Sequence, residues 1–144
     1  MKVNLEIDLS VADVLVEIRA NEMNYEVKQI LDNLNTIDKS IVGMINNKQY
    51  LLKLKEIKVF YSENKNVFAR CCDIYKVKYR LYELEKVLEN TKFVRISNTS
   101  IINLEYVVNF ESSLKGTVIV NMNDGTREFV SRRYLKKIKN ILSA

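Results

Sequence analysis

Apolar and polar residues alternate at the start of the chain. Residues 2–9 place an apolar side chain at every second position, and residues 14–19 do the same. A period of two residues is typical of strands that bury one face. Beyond Asn21, which is placed to cap a helix, apolar residues return at helical spacing as far as Leu34. Residues 1–40 are therefore predicted to form a small strand–strand–helix unit.

A mostly strand-like pattern occupies residues 41–144. Turn signals separate short apolar runs, and the clearest is Asp124-Gly125, a pair that tolerates the positive φ angles of a tight hairpin. Helical spacing appears near residues 81–89 and again after Ser131, which is expected to cap the last helix. The pattern predicts strands at about 41–46, 49–53, 57–62, 67–72, 74–79, 93–97, 101–103, 106–111, 117–122 and 127–130. The expected fold class is mainly β with short helices (α+β), in two domains of residues 1–40 and 41–144.

Charge is divided unevenly between these two regions. Residues 1–40 hold four Lys/Arg and eight Asp/Glu, which gives a net charge of −4. Residues 41–144 hold 19 Lys/Arg and 10 Asp/Glu, which gives +9. A localised positive field attracts polyanions and speeds their encounter. The second region therefore favours a polyanionic partner.

One residue type and several motifs on which many enzymes and metal sites depend are missing from the sequence. The chain has no His, and its three glycines, at positions 43, 116 and 125, form no Gly-rich phosphate loop. No base–nucleophile pair or paired-carboxylate pattern is evident. We therefore expect neither an enzyme nor a small-molecule substrate, and no cofactor or metal.

The N-terminal residues and the cysteines bear on the cellular compartment. The start of the chain lacks the apolar region of a signal peptide, and no apolar run approaches the roughly 18 residues of a membrane span. This predicts a cytoplasmic protein. Cys71 and Cys72 are adjacent in a predicted strand, so their side chains point to opposite faces and suit neither a zinc site nor a mutual disulfide. One buried and one exposed thiol are expected, and a redox-sensing role is the less favoured alternative.

Two segments combine arginine with short polar side chains at the ends of strand-like runs. The first segment holds Arg95, Asn98, Thr99 and Ser100, and the second holds Ser131, Arg132, Arg133 and Lys136. Arg can make two hydrogen bonds to guanine and Asn two to adenine, whereas hydroxyl groups reach phosphates. A solvated loop and a helix with an exposed basic face would give the same pattern. Residue spacing alone leaves both interpretations open.

The two segments belong to a longer series of motifs in a fixed order. The series comprises Tyr50-Leu51-Leu52, Ile57-Lys58-Val59-Phe60-Tyr61, Lys78-Tyr79-Arg80-Leu81 with Leu84 and Leu88, the block FVRISNTSIINL at residues 93–104, the Asp124-Gly125 hairpin, and VSRRY at residues 130–134. The block is similar to F-x-R-I-H-[RKN]-S-[YF]-[IL]-V-N, and the last motif is similar to V-S-R-x-Y. Over residues from about 46 to 142, the chain thus resembles the LytTR DNA-binding domain of bacterial transcription regulators.

The resemblance implies a particular fold and a particular way of binding DNA. The fold would be an elongated stack of small antiparallel sheets, whose loops, rather than a recognition helix, enter successive major grooves of double-stranded DNA. By position, Arg133 and Asn98 match the main base- and backbone-reading residues. Phosphate contacts would come from the four residues Thr99, Ser131, Arg132 and Lys136.

A third contact is expected from the loop that follows the strand at residues 57–62. Lys65 and Asn66 are the candidate phosphate contacts there, while Val67 stands where the family often has a polar residue or His. The sequence also departs from the family pattern at Ser97, where His is common, and at Ser100, where an aromatic residue is common. These departures would alter the target sequence or the affinity.

The resulting hypothesis is a sequence-specific transcriptional regulator that binds direct-repeat sites as a homodimer. Residues 1–40 are too short for the receiver domain that many family members carry, so the resemblance implies another form of control, such as a small membrane protein. The acidic unit would then serve dimerisation or partner contact. The alternative is a regulatory protein–protein interaction module, whose basic region binds an acidic partner or a membrane surface.

Overall fold

The strands of the protein form two antiparallel sheets. The computed structural model describes residues 1–37 and 39–143. Strands β1 to β7 make one sheet in the order β2-β1-β5-β4-β3-β7-β6, and β8 to β10 make the other in the order β10-β9-β8. The strands are β1 Ser40–Ile45, β2 Lys48–Lys53, β3 Val59–Glu63, β4 Asn66–Arg70, β5 Ile74–Val77, β6 Phe93–Arg95, β7 Ser100–Asn103, β8 Val107–Ser112, β9 Val118–Met122 and β10 Arg127–Val130.

In the described residues, three short α-helices accompany the sheets. They are α1 Tyr25–Thr36, α2 Leu81–Val87 and α3 Leu135–Leu142, and single 3-10 turns occupy Leu54–Glu56, Leu104–Tyr106 and Arg132–Tyr134. Every strand and helix predicted between residues 41 and 142 has a counterpart within a few positions of its expected bounds. The expectation of a mainly β fold with short helices is therefore confirmed.

Tight turns set the register of the hairpins. Asn46 and Asn47 adopt positive φ angles of 48° and 66°, and Asn64 and Lys65 adopt 50° and 66°. Two successive positive φ angles match the twist of paired strands, and Asn tolerates them better than most residues. Gly125, with φ of 85°, closes the hairpin between β9 and β10 as the Asp-Gly signal predicted.

Two apolar clusters hold the sheets and helices together. The first joins the inner face of the larger sheet to α2, with Phe60, Ile57 and Leu84 fully buried. The second joins the end of that sheet to the smaller sheet and α3, and Val120 and Ile138 are at its centre. Burial of one face of each strand explains the two-residue alternation in the sequence.

The predicted N-terminal strands are wrong. Residues 2–9 and 14–19 contain no strand, and the helix begins at Tyr25 rather than after Asn21. A strand needs a neighbour to accept its backbone hydrogen bonds, and neither segment has one among the residues that the structure describes. Asn24 is the actual cap, because its side-chain oxygen accepts a hydrogen bond of 2.9 Å from the backbone of Val27.

Cys71 and Cys72 lie just after β4, in the bend that leads to β5, and not within the strand predicted to hold them. Cys71 is half-buried and packs against that cluster, whereas Cys72 is exposed. Burial raises the pKa of the Cys71 thiol to about 11, which keeps it protonated at neutral pH. This matches the expected division into a packed thiol and an exposed thiol.

Candidate nucleic-acid interface

Three short segments meet at one end of the larger sheet. They are the β3–β4 loop (residues 64–65), the β6–β7 loop (residues 96–99) and the 131–134 turn, which follows β10. The backbone N–H of Ser62, near the end of β3, donates to the carbonyl oxygen of Thr99 over 2.9 Å. The backbone N–H of Ser131 donates to the carbonyl oxygen of Ile96 over 2.8 Å. Segments that are far apart in sequence thus form one surface.

Asn98 and Thr99 form the exposed tip of the β6–β7 loop. The hydroxyl groups of Ser97 and Thr99 lie 3.2 Å apart, and the backbone N–H of Thr99 donates to the Ser97 hydroxyl. These local hydrogen bonds shape the loop, so that its polar groups face solvent. The loop therefore presents an amide and a hydroxyl group at the end of a rigid hairpin.

Ser100 is buried, in contrast to its two neighbours. It is only 7% exposed and lies opposite Tyr61 in the pairing of β7 with β3. A side chain on the inner face of a strand cannot reach a ligand on the outside without disrupting the sheet. The structure therefore gives Ser100 a packing position, and we leave it out of the proposed DNA contacts.

Arg95 holds the β6–β7 loop from inside. Its Nε donates to the carbonyl oxygen of Ser97, and one Nη donates to that of Asn98, both over 2.9 Å. The other Nη pairs with Glu85 Oε1 of α2 over 2.8 Å. The Arg95 side chain is only 14% exposed, and its guanidinium carbon lies 5.9 Å from the centre of the Tyr134 ring. The guanidinium group of Arg95 is thus engaged by groups of the protein itself.

The 131–134 turn carries two exposed arginines. Ser131 precedes a 3-10 turn instead of capping α3 directly, and its side chain makes no capping hydrogen bond. Arg132 and Arg133 are exposed, and the guanidinium carbon of Arg133 lies 5.6 Å from the Tyr134 ring centre. A cation over an aromatic face is held in place while its hydrogen-bond donors stay available. The turn thus presents two cations beside the Asn98 loop.

The helix that follows the 131–134 turn carries further positive charge. Ile138 anchors α3 in the second apolar cluster, and Lys136 is exposed. In the β3–β4 loop, Lys65 is exposed and Asn66 is half-buried, with its side-chain amide 3.3 Å from the carbonyl oxygen of Asn64. Val67 is buried and faces the core. A base contact from position 67 is therefore not available in this chain.

Four of these cations have no acidic partner. Among the ion pairs of the described residues, none involves Lys65, Arg132, Arg133 or Lys136. The partly buried arginines differ, since Arg95 is paired with Glu85, and Arg70 with Asp124 and Glu128. Unpaired cations that project from neighbouring loops create the positive potential that attracts phosphate groups.

Arg70 joins the two sheets, a role that the sequence did not indicate. It lies at the end of β4, and its Nε is 3.2 Å from Asp124 Oδ2 in the β9–β10 hairpin. One Nη lies 3.5 Å from Glu128 Oε1, and the other donates to the Thr126 hydroxyl over 2.7 Å. The three partners come from one hairpin, which fixes the smaller sheet against the larger one.

The two carboxylates beside Arg70 have opposite pKa shifts. Burial alone would raise the pKa of Asp124, but hydrogen bonds from Thr126 and the charge of Arg70 bring it below the ordinary value. Burial raises the pKa of Glu128, and Arg70 offsets this only in part. Asp124 is therefore the better stabilised anion of the two.

The sequence also did not indicate which residues hold the arginines of the interface in position. Glu85 holds Arg95, and Tyr134 lies beside both Arg95 and Arg133. Tyr134 was visible in the V-S-R-R-Y motif, but its spacing alone could not show which cations it would contact. Glu85 gave no signal, since an acidic residue on a short helix usually faces solvent.

No cluster of three His, Cys, Asp or Glu side chains arranged to hold a metal ion occurs in the part of the chain that the structure describes. Of its helices, none combines the length and the apolar character that crossing a bilayer requires.

Comparison with known proteins yields one family. Residues 47–143 match the family described as the LytTr DNA-binding domain. The chain is 36% identical, over 99% of its length and 99% of theirs, to uncharacterized HTH-type transcriptional regulators of Staphylococcus aureus strains NCTC 8325 and bovine RF122 / ET3-1. Its structure is similar to a LytTr DNA-binding domain from Bacillus cereus, with a TM-score of 0.69 and 18% identity over 74% of this chain and 99% of that one. The chain belongs to the LytTR DNA-binding domain family.

Proposed function

We propose that this protein is a sequence-specific transcriptional regulator that reads the major groove of DNA through loops of its sheets. The observation that carries the proposal is the meeting of the β3–β4 loop, the β6–β7 loop and the 131–134 turn at one end of the fold. Their exposed cations have no acidic partner in the described chain. Such a surface suits the phosphate groups of DNA.

Loops rather than a helix are proposed as the reading element. Strands separate each α-helix from the next one in the chain, so the described residues contain no helix–turn–helix pair. The helix α3 has its central residue Ile138 buried against the second apolar cluster. Asn98 and Arg133, whose side chains suit base contacts, project instead from a loop and a turn.

The residues divide into base-reading, phosphate-binding and positioning roles. Arg133 and Asn98 are proposed to read base edges, because both are exposed and carry two suitably arranged hydrogen-bonding groups. Phosphate contacts are proposed for the remaining polar residues of the surface, which are Thr99, Ser131, Arg132, Lys136, Lys65 and Asn66. Arg95 is proposed to position the loop, because its donors are engaged with Glu85 and two backbone carbonyl groups.

The regulator is proposed to act as a homodimer in the cytoplasm, with one protomer on each half of a direct-repeat site. The acidic residues 1–40 would provide the contact with the second copy, or with a small membrane protein that restrains the regulator. The alternative function, a protein–protein module with a basic docking surface, finds support only in the net charge and not in the arrangement of Asn98 and Arg133.

Selection from a pool of randomised duplexes tests the proposal. The protein is mixed with the pool at physiological salt, and bound DNA is sequenced over successive rounds. We expect enrichment of a short motif repeated in the same orientation, and fluorescence anisotropy should show tighter binding to that DNA than to a scrambled duplex. Binding without enrichment, lost as salt rises, would contradict sequence reading and favour the protein–protein module.

A further inference from the structure

The first 24 residues form an N-terminal arm that the protomer leaves uncovered. Of its alternating apolar side chains, Val3, Leu5 and Ile7 are between 79% and 85% exposed, and Leu9 is fully exposed. The arm bends at Asp8, whose carbonyl oxygen accepts a hydrogen bond of 3.2 Å from the backbone of Val11. An alternating segment with no neighbouring strand has the sequence of a strand but lacks a partner.

The protomer exposes far more surface than a compact protein of its mass. Its accessible area is 10841 Å². A monomeric protein of 16.9 kDa normally exposes about 7,700 Å². The excess of about 3,100 Å² is well above the roughly 800 Å² per partner that a standard interface buries. The area is thus sufficient for the arm to be buried in an assembly.

The larger sheet offers a free edge of matching length. Strand β2 pairs with β1 on one side and with no strand of the described chain on the other. Its Leu51 is 78% exposed and lies opposite the half-exposed Val42 of β1. A free edge of six residues with an exposed apolar side chain is a template for an added strand. Residues 3–9 are long enough to cover it.

The charges favour binding of the arm to the body of a second copy over binding to another arm. Residues 1–24 hold five acidic and two basic residues, so two arms would repel each other. The stretch from Lys48 to Lys58 holds four lysines and one glutamate. Neither Lys48 nor Lys53 is paired with a carboxylate among the residues that the structure describes. Glu6 and Asp8 alternate with the apolar residues and can meet these lysines.

We infer that residues 3–9 of one protomer add as an antiparallel or parallel eighth strand to the free edge of β2 in a second copy, and that the exchange is reciprocal. Within its own protomer the arm does not lie along β2. Its N-terminal amino group lies 3.8 Å from Glu26 of α1. A reciprocal exchange closes the assembly at two copies. The inference rests on the proposed homodimer and specifies its interface.

The arrangement is compatible with DNA binding. In the larger sheet, β2 is at one edge, and β6 and β7, which carry the Asn98 loop, are at the other. Five strand spacings of about 4.8 Å separate β2 from β7. The added strand would therefore leave the candidate interface open. Residues 10–24, which can span roughly 50 Å when extended, would let the two bodies take the same orientation on a direct repeat although the exchanged strands are related by a two-fold axis.

Cross-linking of an isotope mixture tests the exchange directly. Full-length protein grown with ¹⁴N and with ¹⁵N is mixed and equilibrated, then treated with a carbodiimide, which joins a carboxylate to a lysine in contact. We expect peptides that link Glu6 or Asp8 to Lys48 or Lys53 and combine the two isotopes. Links within one isotope only would mean that the arm folds onto its own chain, which would overturn the inference.

Sedimentation equilibrium of matched variants provides the second measurement. Leu51→Glu places a negative charge where the acidic arm would lie and should raise the dimer dissociation constant at least tenfold. Val108→Glu makes the same change at the exposed edge strand β8 and should leave the constant unchanged. Because both side chains are mostly exposed, neither change should prevent folding, which circular dichroism checks.

The possible outcomes distinguish a failure of this interface from a failure of the proposed function. A dimer that is indifferent to Leu51→Glu and gives no links between the arm and β2 would overturn the strand exchange and leave the homodimer standing. A monomer at all concentrations would overturn both the exchange and the homodimer. A single half-site motif should still be enriched in the selection experiment after either result, since each protomer carries a complete set of reading loops.

Discussion

Arg95 and Tyr134 lie in contact although 39 positions separate them in the sequence, with the guanidinium carbon 5.9 Å from the ring centre. The contact joins the β6–β7 loop to the 131–134 turn. A hydrogen bond from the Ser131 backbone to that of Ile96 supports it. The spatial relation between Asn98 and Arg133 therefore depends on residues that do not themselves face a ligand.

Arg95→Ala should weaken sequence-specific DNA binding without removing a phosphate contact. The substitution releases the carbonyl groups of Ser97 and Asn98 and leaves Glu85 unpaired, so the loop loses its fixed shape. We expect a loss of about 10- to 100-fold in affinity for the selected site, equivalent to about 1–3 kcal/mol. Anisotropy titrations at several salt concentrations measure both the affinity and the salt slope.

The salt slope distinguishes positioning from direct contact. A side chain that neutralises a phosphate changes the slope by about one, because one counterion is released on binding. If Arg95→Ala lowers the slope by that amount, Arg95 contacts DNA, and its assignment as a positioning residue is wrong. Glu85→Gln is a useful companion, since it disturbs the same loop without removing a positive charge.

Asn98→Ala and Ser100→Ala should have opposite consequences although the residues are two positions apart. Asn98 is exposed at the tip of the β6–β7 loop, whereas Ser100 is buried opposite Tyr61. Removal of a bidentate base contact costs about 1–3 kcal/mol and relaxes the preference for one base. Removal of a buried hydroxyl leaves the outer surface intact. Competition with single-base variants of the selected site should show relaxed specificity for Asn98→Ala and none for Ser100→Ala.

Lys136→Ala and Lys65→Ala should weaken binding to all sequences about equally. Both lysines are exposed and have no acidic partner among the described side chains, which suits them to phosphate contact. Each substitution is expected to lower the salt slope by about one. Lys55→Ala is the matched control, because Lys55 precedes β3 at the end of the strand opposite the β3–β4 loop. Equal effects at positions 55 and 136 would indicate attraction by net charge alone.

The sequence predicted the strands well because burial imposes a period of two residues. Each run between residues 41 and 130 became a strand near its expected position, with apolar residues such as Val59 and Val120 facing the core. Turn chemistry set the hairpins, as at Asp124-Gly125. The same rule failed at residues 2–9, since periodicity shows that a segment can pair but not whether a neighbour is present.

The candidate site could be predicted only in part, for a related reason. Motif order indicated Asn98 and Arg133, and both are exposed. Motif order could not show that Arg95 is engaged within the protein whereas Arg133 is exposed. The direction of an arginine side chain depends on partners from other elements, such as Glu85 of α2. Ser100 was grouped with its exposed neighbours because residue type, rather than strand face, determined the choice.

Asp124→Asn and Glu128→Gln should affect stability differently, although both remove a charge beside Arg70. Asp124 has a pKa below its ordinary value of 3.8, so its ionised form is favoured by folding. Its loss should cost about 1–2 kcal/mol in the free energy of unfolding at pH 7. Glu128 has a raised pKa because of burial, so Glu128→Gln should be nearly neutral or slightly stabilising. Urea unfolding at pH 7 compares them.

The pH dependence gives an independent check on Asp124. A depressed pKa in the folded state contributes stability above the unfolded value, and that contribution disappears as the pH falls through the folded value. The difference in stability between wild type and Asp124→Asn should therefore shrink below about pH 4. A difference that stays constant from pH 7 to pH 3 would mean that Asp124 acts through the shape of the hairpin rather than through its charge.

Arg133 provides the strictest test of sequence reading, because Arg132 beside it is a natural control. Both arginines are exposed in the 131–134 turn, but only Arg133 is proposed to read bases, and its guanidinium lies beside Tyr134. Arg133→Lys keeps the charge and removes the planar pair of donors that guanine requires. We expect it to lose about 10- to 100-fold in affinity for the selected site, while nonspecific binding and the salt slope stay close to wild type. Arg132→Lys should leave both nearly unchanged. If the two variants prove indistinguishable in anisotropy titrations against selected and scrambled duplexes, Arg133 acts as a phosphate contact like its neighbour.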